Sequence, residues 1–522
     1  MATTRARSAS GLVALVSASL LAATAQAQDP AGARPRVTIA AGAVEGIASA
    51  GVASFRGMPY AAPPVGDLRW RAPQVAAPWS DVRPAGEFGK ACPQDRSVSL
   101  DQAGDPGPTS EDCLTINVWT PRPDVGARLP VMVWIHGGAF VIGSGGQKLF
   151  DGAALARRGV VVVSFNYRLG ALGFFSHPAL DAVEANGPVN FGLLDEIAAL
   201  RWVRDNIATF GGDAANVTIF GESAGGVSVL ALFTSPLARG LFARGIAQSP
   251  YGIPSHSRAK ASAVGVQVAS ALGLDGATAS IADLRAIPAD RFVTVKAKGA
   301  SLAPSLVFGD AALPAPILSS FQRGGEAALP LVIGSNSDEA SVAVAFGIDP
   351  AALIGRLGAA RIAIKPLYPG VTDPSQLGRE VVRDVVFTAF VRRIAYLHSA
   401  RAPTWRYYFS RVATNERTKL PGVPHGGEIA AVFGADDACG CLAALASDDD
   451  RVYSRKVGAL WTSFARIAIP ESADVPPWPR DGRVAARTME LGDEIVVRED
   501  FMKRRLNTFI GALNLIGRPS GK

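Results

Sequence analysis

A serine placed between two glycines is the first segment of this sequence that could do chemistry. Ser223 lies in Gly221-Glu222-Ser223-Ala224-Gly225, directly after the β-branched run 217–220 and ahead of the helix-compatible stretch 227–233. A G-x-S-x-G segment between a strand and a helix forms a tight turn that presents the serine hydroxyl at the end of a sheet. The pentapeptide alone is a weak signal, but this context predicts that Ser223 is a nucleophile.

A nucleophilic serine needs a base, and histidine is the usual one. The chain has five histidines: His136, His177, His256, His398 and His425. In a strand–turn–helix architecture of this kind the chain order is serine, acid, histidine, which excludes the first two. His256 follows the serine before any further strand, and His398 lies in an amphipathic helical stretch. His425 lies in a loop rich in glycine and proline, where a scaffold can aim it, so we predict that His425 is the base.

The acid that orients the base should follow a strand between the serine and the histidine. The apolar run 329–334 is such a strand, and Ser335-Asn336-Ser337-Asp338-Glu339 comes after it. Both carboxylates are candidates, and they could instead simply favour the start of the next helix through its dipole. Spacing does not choose between Asp338 and Glu339.

The developing oxyanion needs backbone N–H donors. One donor should be the residue after the nucleophile, Ala224, and others should come from the loop His136-Gly137-Gly138-Ala139-Phe140, which ends an early strand. We interpret His136 as a residue that shapes this loop, not as the base.

The elements that must position these residues alternate between strands and helices. The runs 130–135 and 159–165 are continuously apolar, as in strands buried on both faces of a parallel sheet. Apolar residues recur at helical spacing over 193–207, and Gly211-Gly212 ends that helix. The pattern predicts an α/β fold with a mostly parallel central sheet. The segments of about 250–330 and 340–420 are predicted to be helical excursions over the sheet.

The N-terminal segment has the features of an export signal. Arg5 and Arg7 precede a short apolar run, and Ala25-Gln26-Ala27 resembles a cleavage site. The apolar run is too short to span a bilayer. We predict that residues 1–27 are a signal peptide, that residues 28–522 form one catalytic domain, and that the mature protein is exported to the periplasm or the medium.

The charge of the chain is mild for its length. The formal net charge is +7 over 522 residues, and no block of lysine and arginine stands out as a nucleic-acid patch. No stretch after the leader is apolar enough to cross a membrane. The sequence therefore predicts no nucleic-acid partner and no membrane span, and it does not set the oligomeric state.

The four cysteines, at positions 92, 113, 439 and 441, allow three pairings. Export makes disulfides plausible. A Cys92–Cys113 bridge would close a loop of about 22 residues, whereas Cys439 and Cys441 would form a tight bridge or remain free thiols. This spacing is not typical of a zinc site, and no metal is expected.

Several longer motifs resemble the type B carboxylesterases, the carboxylesterase and cholinesterase group of α/β hydrolases, and the resemblance covers nearly the whole mature chain. The motifs are Phe55-Arg56-Gly57-Met58-Pro59-Tyr60-Ala61-Ala62-Pro63-Pro64, Glu111-Asp112-Cys113-Leu114-Thr115-Ile116-Asn117-Val118-Trp119, Asn166-Tyr167-Arg168-Leu169-Gly170, Phe210-Gly211-Gly212-Asp213 and the segment around Ser223. Together they are highly specific, and they imply an α/β-hydrolase fold with helices on both faces of the sheet.

The resemblance implies roles that spacing leaves open. The acid of the family matches Glu339, its H-G-x-E histidine matches His425, and its oxyanion donors match Gly138, Ala139 and Ala224. Glu222 resembles a buried glutamate beside the nucleophile, outside the triad. The resemblance also implies a Cys92–Cys113 disulfide, and ion pairs of Arg56 with Glu111 and of Arg168 with Asp195. The resemblance implies a small-molecule ester as the partner and no metal or organic cofactor.

The sequence departs from the family pattern in places that leave the proposed triad intact. Ala139 and Ala340 stand where the family commonly has glycine, and Pro250 follows Gln248-Ser249 where glycine is usual. These changes leave the substrate open. A non-catalytic binding relative should have lost a triad member, and a peptidase or amidase with the same triad is the remaining alternative.

Overall fold

The computed structural model describes residues 34–96, 104–253, 255–295, 306–356, 358, 360–434 and 447–516. The predicted signal peptide, residues 1–27, lies outside these ranges, as do Cys439 and Cys441. The prediction that residues 28–522 form one domain stays a prediction.

Sixteen strands lie in the described part of the chain. They are β1 (Arg36–Ile39), β2 (Gly42–Glu45), β3 (Ile47–Ser49), β4 (Val52–Pro59), β5 (Arg83–Pro84), β6 (Thr115–Thr120), β7 (Leu129–Ile135), β8 (Val161–Phe165), β9 (Gly212–Glu222), β10 (Arg244–Gln248), β11 (His256–Ser257), β12 (Val307–Phe308), β13 (Leu331–Asn336), β14 (Thr404–Phe409), β15 (Arg487–Leu491) and β16 (Ile495–Glu499).

Seventeen α-helices accompany these strands over the same described ranges. They are α1 (Ala153–Ala156), α2 (Gly170–Gly173), α3 (Pro178–Val183), α4 (Phe191–Asn206), α5 (Ala224–Thr234), α6 (Arg258–Ala271), α7 (Ile281–Ala286), α8 (Ala289–Thr294), α9 (Ile317–Arg323), α10 (Ser341–Ala345), α11 (Pro350–Arg356), α12 (Ala360–Ile364), α13 (Pro374–Val382), α14 (Ala389–His398), α15 (Ile429–Phe433), α16 (Asp448–Ile467) and α17 (Lys503–Ile516).

Eleven of the strands form one twisted sheet in the order β16-β15-β14-β13-β10-β9-β7-β8-β6-β4-β3. The central pairings from β15 to β8 are parallel, and the pairings at both ends of the sheet are antiparallel. The predicted α/β fold with a mostly parallel central sheet is confirmed. Because the strands of the parallel centre all point one way, the residues that follow β7, β9 and β13 meet at one edge of the sheet.

Helices cover both faces of this sheet, as the continuous apolar runs predict. In β7, Val131 and Val133 pack into the core on the face of α4 and α5, while Met132 and Trp134 pack into the core on the face of α15 and α16. A third apolar cluster, which includes Trp70 and Phe175, holds helices α6 to α8 against the rest of the molecule. The two long segments predicted as helical excursions do contain helices, α6 to α9 and α10 to α14.

The predicted disulfide and one of the two predicted ion pairs are confirmed, and the other ion pair is wrong. Cys92 and Cys113 form a disulfide with an S–S distance of 2.03 Å. Arg168 and Asp195 form a buried ion pair with N–O distances of 2.7 and 2.8 Å. Glu111 instead pairs with Arg69, at 2.6 and 2.7 Å.

Arg56 lies 3.6 Å from Asp151, so the predicted Arg56–Glu111 pair is absent. The reason is the direction of the two side chains. The Arg69 guanidinium points towards Glu111 and also donates to the carbonyl of Ile287, whereas the Arg56 guanidinium lies over the ring of Phe88. Within the described residues, no helix combines the length and the apolar composition needed to cross a bilayer.

Candidate active site

The turn between β9 and α5 holds Ser223 in a left-handed backbone conformation, with φ 56° and ψ −120°. A non-glycine residue at positive φ is strained, and such strain is concentrated at functional sites. The N–H of Ser223 donates to the carbonyl of Gln248 at 3.0 Å, which fixes the turn against the end of β10.

The two flanking glycines are required by the space around this turn. A Cβ atom on Gly225 would lie 2.0 Å from the carbonyl oxygen of Ile135, and one on Gly221 would lie 2.7 Å from the backbone of Gly225. Because both obstacles are backbone atoms, one in strand β7 and one in helix α5, no side chain can be accommodated there. The sequence motif therefore has its expected physical cause.

His425 and Glu339 lie in contact although 86 residues separate them in the chain. The Nδ1 atom of His425 is 2.5 Å from Oε2 of Glu339, and the other carboxylate oxygen of Glu339 accepts the N–H of Asn336 at 2.6 Å. The N–H of His425 donates to Oγ of Ser341 at 2.8 Å. With Nδ1 held by a carboxylate, the free Nε2 can accept a proton.

The neighbouring carboxylate, Asp338, faces another partner. Its two oxygens form an ion pair with Arg379 on α13. The choice between the two carboxylates that spacing left open is thus made by geometry: only Glu339 contacts His425 among the described contacts of these two residues.

Glu222 lies on the other side of the histidine. Its Oε1 atom is 3.2 Å from Nε2 of His425. Burial raises the pKa of Glu222 to about 8, and the nearby carboxylates of Glu428 and Glu339 add to this rise while His425 opposes it.

The electrostatics of His425 are set by two opposing effects. Burial alone lowers its pKa, but the carboxylates of Glu222 and Glu339, and the hydrogen bond from Nδ1, outweigh burial and raise the pKa. An imidazolium formed at this position is therefore stabilised, which is what a base needs when it takes a proton during a reaction.

The loop after β7 approaches Ser223 closely. A Cβ atom on Gly137 would lie 3.1 Å from Cβ of Ser223 and 2.8 Å from Oε2 of Glu222. Gly138, Ala139 and Phe140 all have positive φ, of 101°, 54° and 62°. Three successive residues at positive φ turn the chain sharply, and this turn lies beside Ser223.

Ala224 adds a further donor beside this loop. It is the first residue of α5, and the first N–H groups of a helix have no partner within the helix and carry the positive end of its dipole. The three residues predicted as oxyanion donors therefore lie around the same turn as Ser223.

The other four histidines have structural surroundings. His136 is buried, its ring stacks on Tyr167 at 4.3 Å between ring centres, and burial lowers its pKa to about 4. His398 is buried on α14, against the carbonyl of Leu329 and the carboxylate of Glu326. His177 caps α3, and His256 lies in the short strand β11.

A cavity of about 610 Å³ opens onto Ser223 and His425. One wall is apolar and is formed by side chains from the loop after β7 and from helices α10 and α15. A second wall comes from the disulfide-bonded loop. The lining includes Gln94, Arg96, Asp105, Ile142, Leu149, Phe150, Val342, Ala345 and Ile429.

The sequence motifs do not reveal the hydrogen-bond roles of several buried polar residues around the site, although Glu428 is the glutamate of the H-G-x-E match. Glu428 lies three residues after His425 and accepts hydrogen bonds from Gln248 at 2.9 Å and from Asn336 at 2.5 Å. Gln248 in turn accepts the indole N–H of Trp461 at 3.0 Å. Their types alone do not identify them, because asparagine and glutamine are frequent in ordinary loops.

Comparison with known proteins places these residues in context. A model of the carboxylesterase family matches residues 33–359 and 374–509. The chain is 35% identical over 513 residues to fumonisin B1 esterase of Sphingopyxis macrogoltabida, covering 94% of this chain and 92% of that protein. It is also 35% identical over 489 residues to para-nitrobenzyl esterase of Bacillus subtilis (strain 168), covering 89% and 96%.

Solved structures agree with the sequence relatives. A carboxylesterase of Geobacillus stearothermophilus superposes with a TM-score of 0.79 at 29% identity, covering 91% of this chain and all of that one. A thermophilic para-nitrobenzyl (PNB) esterase gives a TM-score of 0.78 at 33% identity, with the same coverage. The α/β-hydrolase fold that the motifs imply is confirmed.

Proposed function

Since the chain belongs to the carboxylesterase family and is a carboxylic ester hydrolase, we propose that it works through a Ser223–His425–Glu339 triad and an acyl-enzyme intermediate. The observation that carries the proposal is the 2.5 Å contact between Nδ1 of His425 and the carboxylate of Glu339, at a cavity that also contains Ser223.

The first half-reaction acylates the serine. Oγ of Ser223 forms a bond to the ester carbonyl carbon while its proton moves to Nε2 of His425, and the carbonyl π electrons move to oxygen. The N–H groups of Gly138, Ala139 and Ala224 donate to this oxyanion. When the oxyanion collapses, the bond to the alcohol oxygen breaks, and His425 gives its proton to that oxygen.

The second half-reaction releases the acid by the same route. A water molecule loses a proton to Nε2 of His425 as its oxygen bonds to the acyl carbon. The second oxyanion collapses, the bond to Oγ breaks, and the proton returns to Ser223. Glu339 keeps Nδ1 protonated and balances the charge of the imidazolium throughout.

The substrate that suits the cavity is a small ester with an apolar group. The wall formed by Ile142, Leu149, Phe150, Val342 and Ile429 has no charged side chain. The charged residues of the opposite wall include Arg96 and Asp105, which pair with each other at 3.0 and 3.1 Å. An ester with an uncharged acyl chain therefore matches the site better than an anionic one.

We also propose that the protein is exported after cleavage before Gln28 and that the mature chain is one catalytic domain. The Cys92–Cys113 disulfide supports this location, because such bonds persist outside the reducing cytoplasm.

The test compares an ester and an amide that share one acyl group and release similar chromophores: a p-nitrophenyl ester and a p-nitroanilide. We expect the purified protein to turn over the ester faster, and Ser223→Ala to abolish that turnover while the protein stays folded. Faster turnover of the anilide would replace the proposed activity with an amidase. Equal turnover by wild type and Ser223→Ala would remove Ser223 from the mechanism.

A further inference from the structure

Asn336 ends strand β13 at a point where three parts of the active site converge. It is fully buried. Its backbone N–H donates to Oε1 of Glu339 at 2.6 Å. Its side-chain Nδ2 donates to the carbonyl of Pro424 at 3.0 Å and to Oε2 of Glu428 at 2.5 Å. One residue thus contacts the proposed acid, the residue before the proposed base, and a buried carboxylate.

The side-chain amide of Asn336 is oriented by its surroundings. Both groups that Nδ2 meets, a carbonyl and a carboxylate, can only accept hydrogen bonds when Glu428 is ionised. The Oδ1 atom of Asn336 is buried without a hydrogen-bond partner within the described part of the chain. Reversing the amide would bring Oδ1 against two acceptors, so this orientation is retained even though one oxygen remains unpaired.

Glu428 links Asn336 to the nucleophile. Its second oxygen accepts the side-chain amide of Gln248 at 2.9 Å, and the backbone carbonyl of Gln248 accepts the N–H of Ser223 at 3.0 Å. Two carboxamides therefore hold one carboxylate between them. The resulting chain of bonds runs from Ser223 through Gln248, Glu428 and Asn336 to Glu339.

The loop that carries His425 is joined to the segment after β13 by a backbone hydrogen bond, from the N–H of Asp338 to the carbonyl of Val423 at 2.8 Å. It lies between β14 and α15, and side-chain bonds from the segment after β13 attach it to the sheet. Ser337 accepts the N–H of Val423 at 2.8 Å, and Ser341 accepts the N–H of His425 at 2.8 Å. Of these attachments, the one from Asn336 alone also contacts Glu339 and Glu428.

We propose that Asn336 is a positioning residue: its side-chain amide holds Glu428 and the loop of His425 in place and so sets the distance between His425 and Glu339. The proposal rests on the proposed function, because it assigns a role relative to the proposed base and acid. The proposal requires that removing the Asn336 amide changes the pKa of His425 and does not merely make the loop more mobile.

The expected direction follows from the charges that face His425. These are the carboxylates of Glu222, from β9, of Glu339, after β13, and of Glu428, before α15, and each raises the pKa of His425. Burial raises the pKa of Glu428, and the hydrogen bonds from Asn336 and Gln248 oppose that rise. Without the Asn336 donor, Glu428 takes up a proton more readily, so the pKa of His425 should fall.

The experiment uses Asn336→Leu, with Ser337→Ala as a matched control that removes a bond to the same loop but touches neither Glu339 nor Glu428. Steady-state hydrolysis of a p-nitrophenyl ester gives kcat and KM. NMR titration of protein labelled with ¹³C-histidine gives the pKa of His425, whose signal is assigned by its loss in His425→Ala. We expect Asn336→Leu to lower kcat about tenfold or more, with KM within about twofold, and to lower the pKa of His425.

Ser337→Ala should change neither quantity by a comparable amount. If Asn336→Leu matches Ser337→Ala in both kcat and the pKa of His425, the proposal is overturned. Should Asn336→Leu fail to fold, Glu428→Gln, which keeps the shape and removes the charge, must lower the pKa of His425; an unchanged pKa refutes the proposal. The titration needs no ester, so a wild-type protein without esterase activity would overturn the proposed function alone.

Discussion

The contact between His425 and Glu339 decides what the histidine can do. A carboxylate at Nδ1 holds the ring in the tautomer that leaves Nε2 available and stabilises the imidazolium. Glu222 lies on the Nε2 side at 3.2 Å, and burial raises the pKa of its carboxyl. The two glutamates therefore have different roles although both are buried beside one ring.

Replacing the carboxylate of Glu339 by an amide should damage the chemistry and leave the fold intact. In Glu339→Gln the side chain keeps its shape and its bond from the N–H of Asn336, but it no longer stabilises a charged His425. We expect kcat to fall by about 10³ to 10⁴, measured with a p-nitrophenyl ester. Asp338→Asn is the matched control, since Asp338 pairs with Arg379; equal losses in the two variants would contradict the assignment of the acid.

At the residue scale, the sequence identifies residues that lie within a local motif. It does not identify contacts between side chains that are distant in the chain. The tight turn around Ser223 is predictable because local backbone space requires its glycines. His425 is singled out as the proposed base because the chain has only five histidines. Arg56 illustrates the failure: its charge is visible, but the direction of its side chain is not, and Arg69 takes Glu111 instead. Asn336 and Gln248 are equally invisible, because their roles depend on Glu428 being buried between them.

At the scale of elements, the helix α4 and the helix α5 are joined by a buried carboxyl. Glu196 on α4 accepts a hydrogen bond from Oγ of Ser228 at 2.7 Å, and its other oxygen has no partner within the described residues. Burial raises the pKa of Glu196 from its ordinary value of 4.5 to about 8. The helix that begins at the proposed nucleophile thus packs on a carboxyl that folding keeps protonated.

The raised pKa of Glu196 makes the stability of the folded protein depend on pH. Between pH 4.5 and pH 8 the folded protein binds more protons at Glu196 than the unfolded chain, so this group favours folding at low pH and destabilises progressively as pH rises. Glu196→Gln should raise the melting temperature relative to wild type, and the gain should be larger at pH 9 than at pH 5. A gain that is the same at both pH values would contradict the raised pKa.

Elements were predicted best where they are buried on both faces. The runs 130–135 and 159–165 correspond to β7 and β8, and the helical spacing of 193–207 corresponds to α4. The strand before Ser223 is longer than predicted: it spans Gly212–Glu222, whereas the apolar run covers only 217–220. In the part that was not predicted, Gly212 pairs with β7, and the regular pairing resumes at Val217. The antiparallel strands at the sheet ends have no comparable signal, since their pairing is set by neighbours distant in sequence.

For the molecule as a whole, the disulfide-bonded loop is what closes one side of the cavity. Cys92 and Cys113 are 21 residues apart. Gln94, two residues after Cys92, holds Gly143 through hydrogen bonds of 2.7 and 2.8 Å to its N–H and carbonyl. Gly143 belongs to the loop that contains Gly138 and Ala139. The disulfide therefore supports the proposed oxyanion donors as well as the fold.

Removing this disulfide should destabilise the protein by about 3 kcal/mol, the loop entropy expected for a bridge of this length. The paired substitution Cys92→Ser with Cys113→Ser avoids leaving a single thiol. We expect a lower melting temperature than wild type, measured without reductant. A reductant should lower the melting temperature of wild type and leave that of the double variant unchanged; an unchanged wild type would mean that the bond contributes nothing.

The central claim is that Ser223 is a nucleophile activated by His425, and covalent labelling tests it most directly. The folded protein is incubated with a fluorophosphonate, and the adduct is located by mass spectrometry of its peptides. We predict one adduct, on Ser223, absent from Ser223→Ala and formed much more slowly in His425→Ala. A folded wild-type protein that carries no label on Ser223, or labels equally fast without His425, would contradict the account.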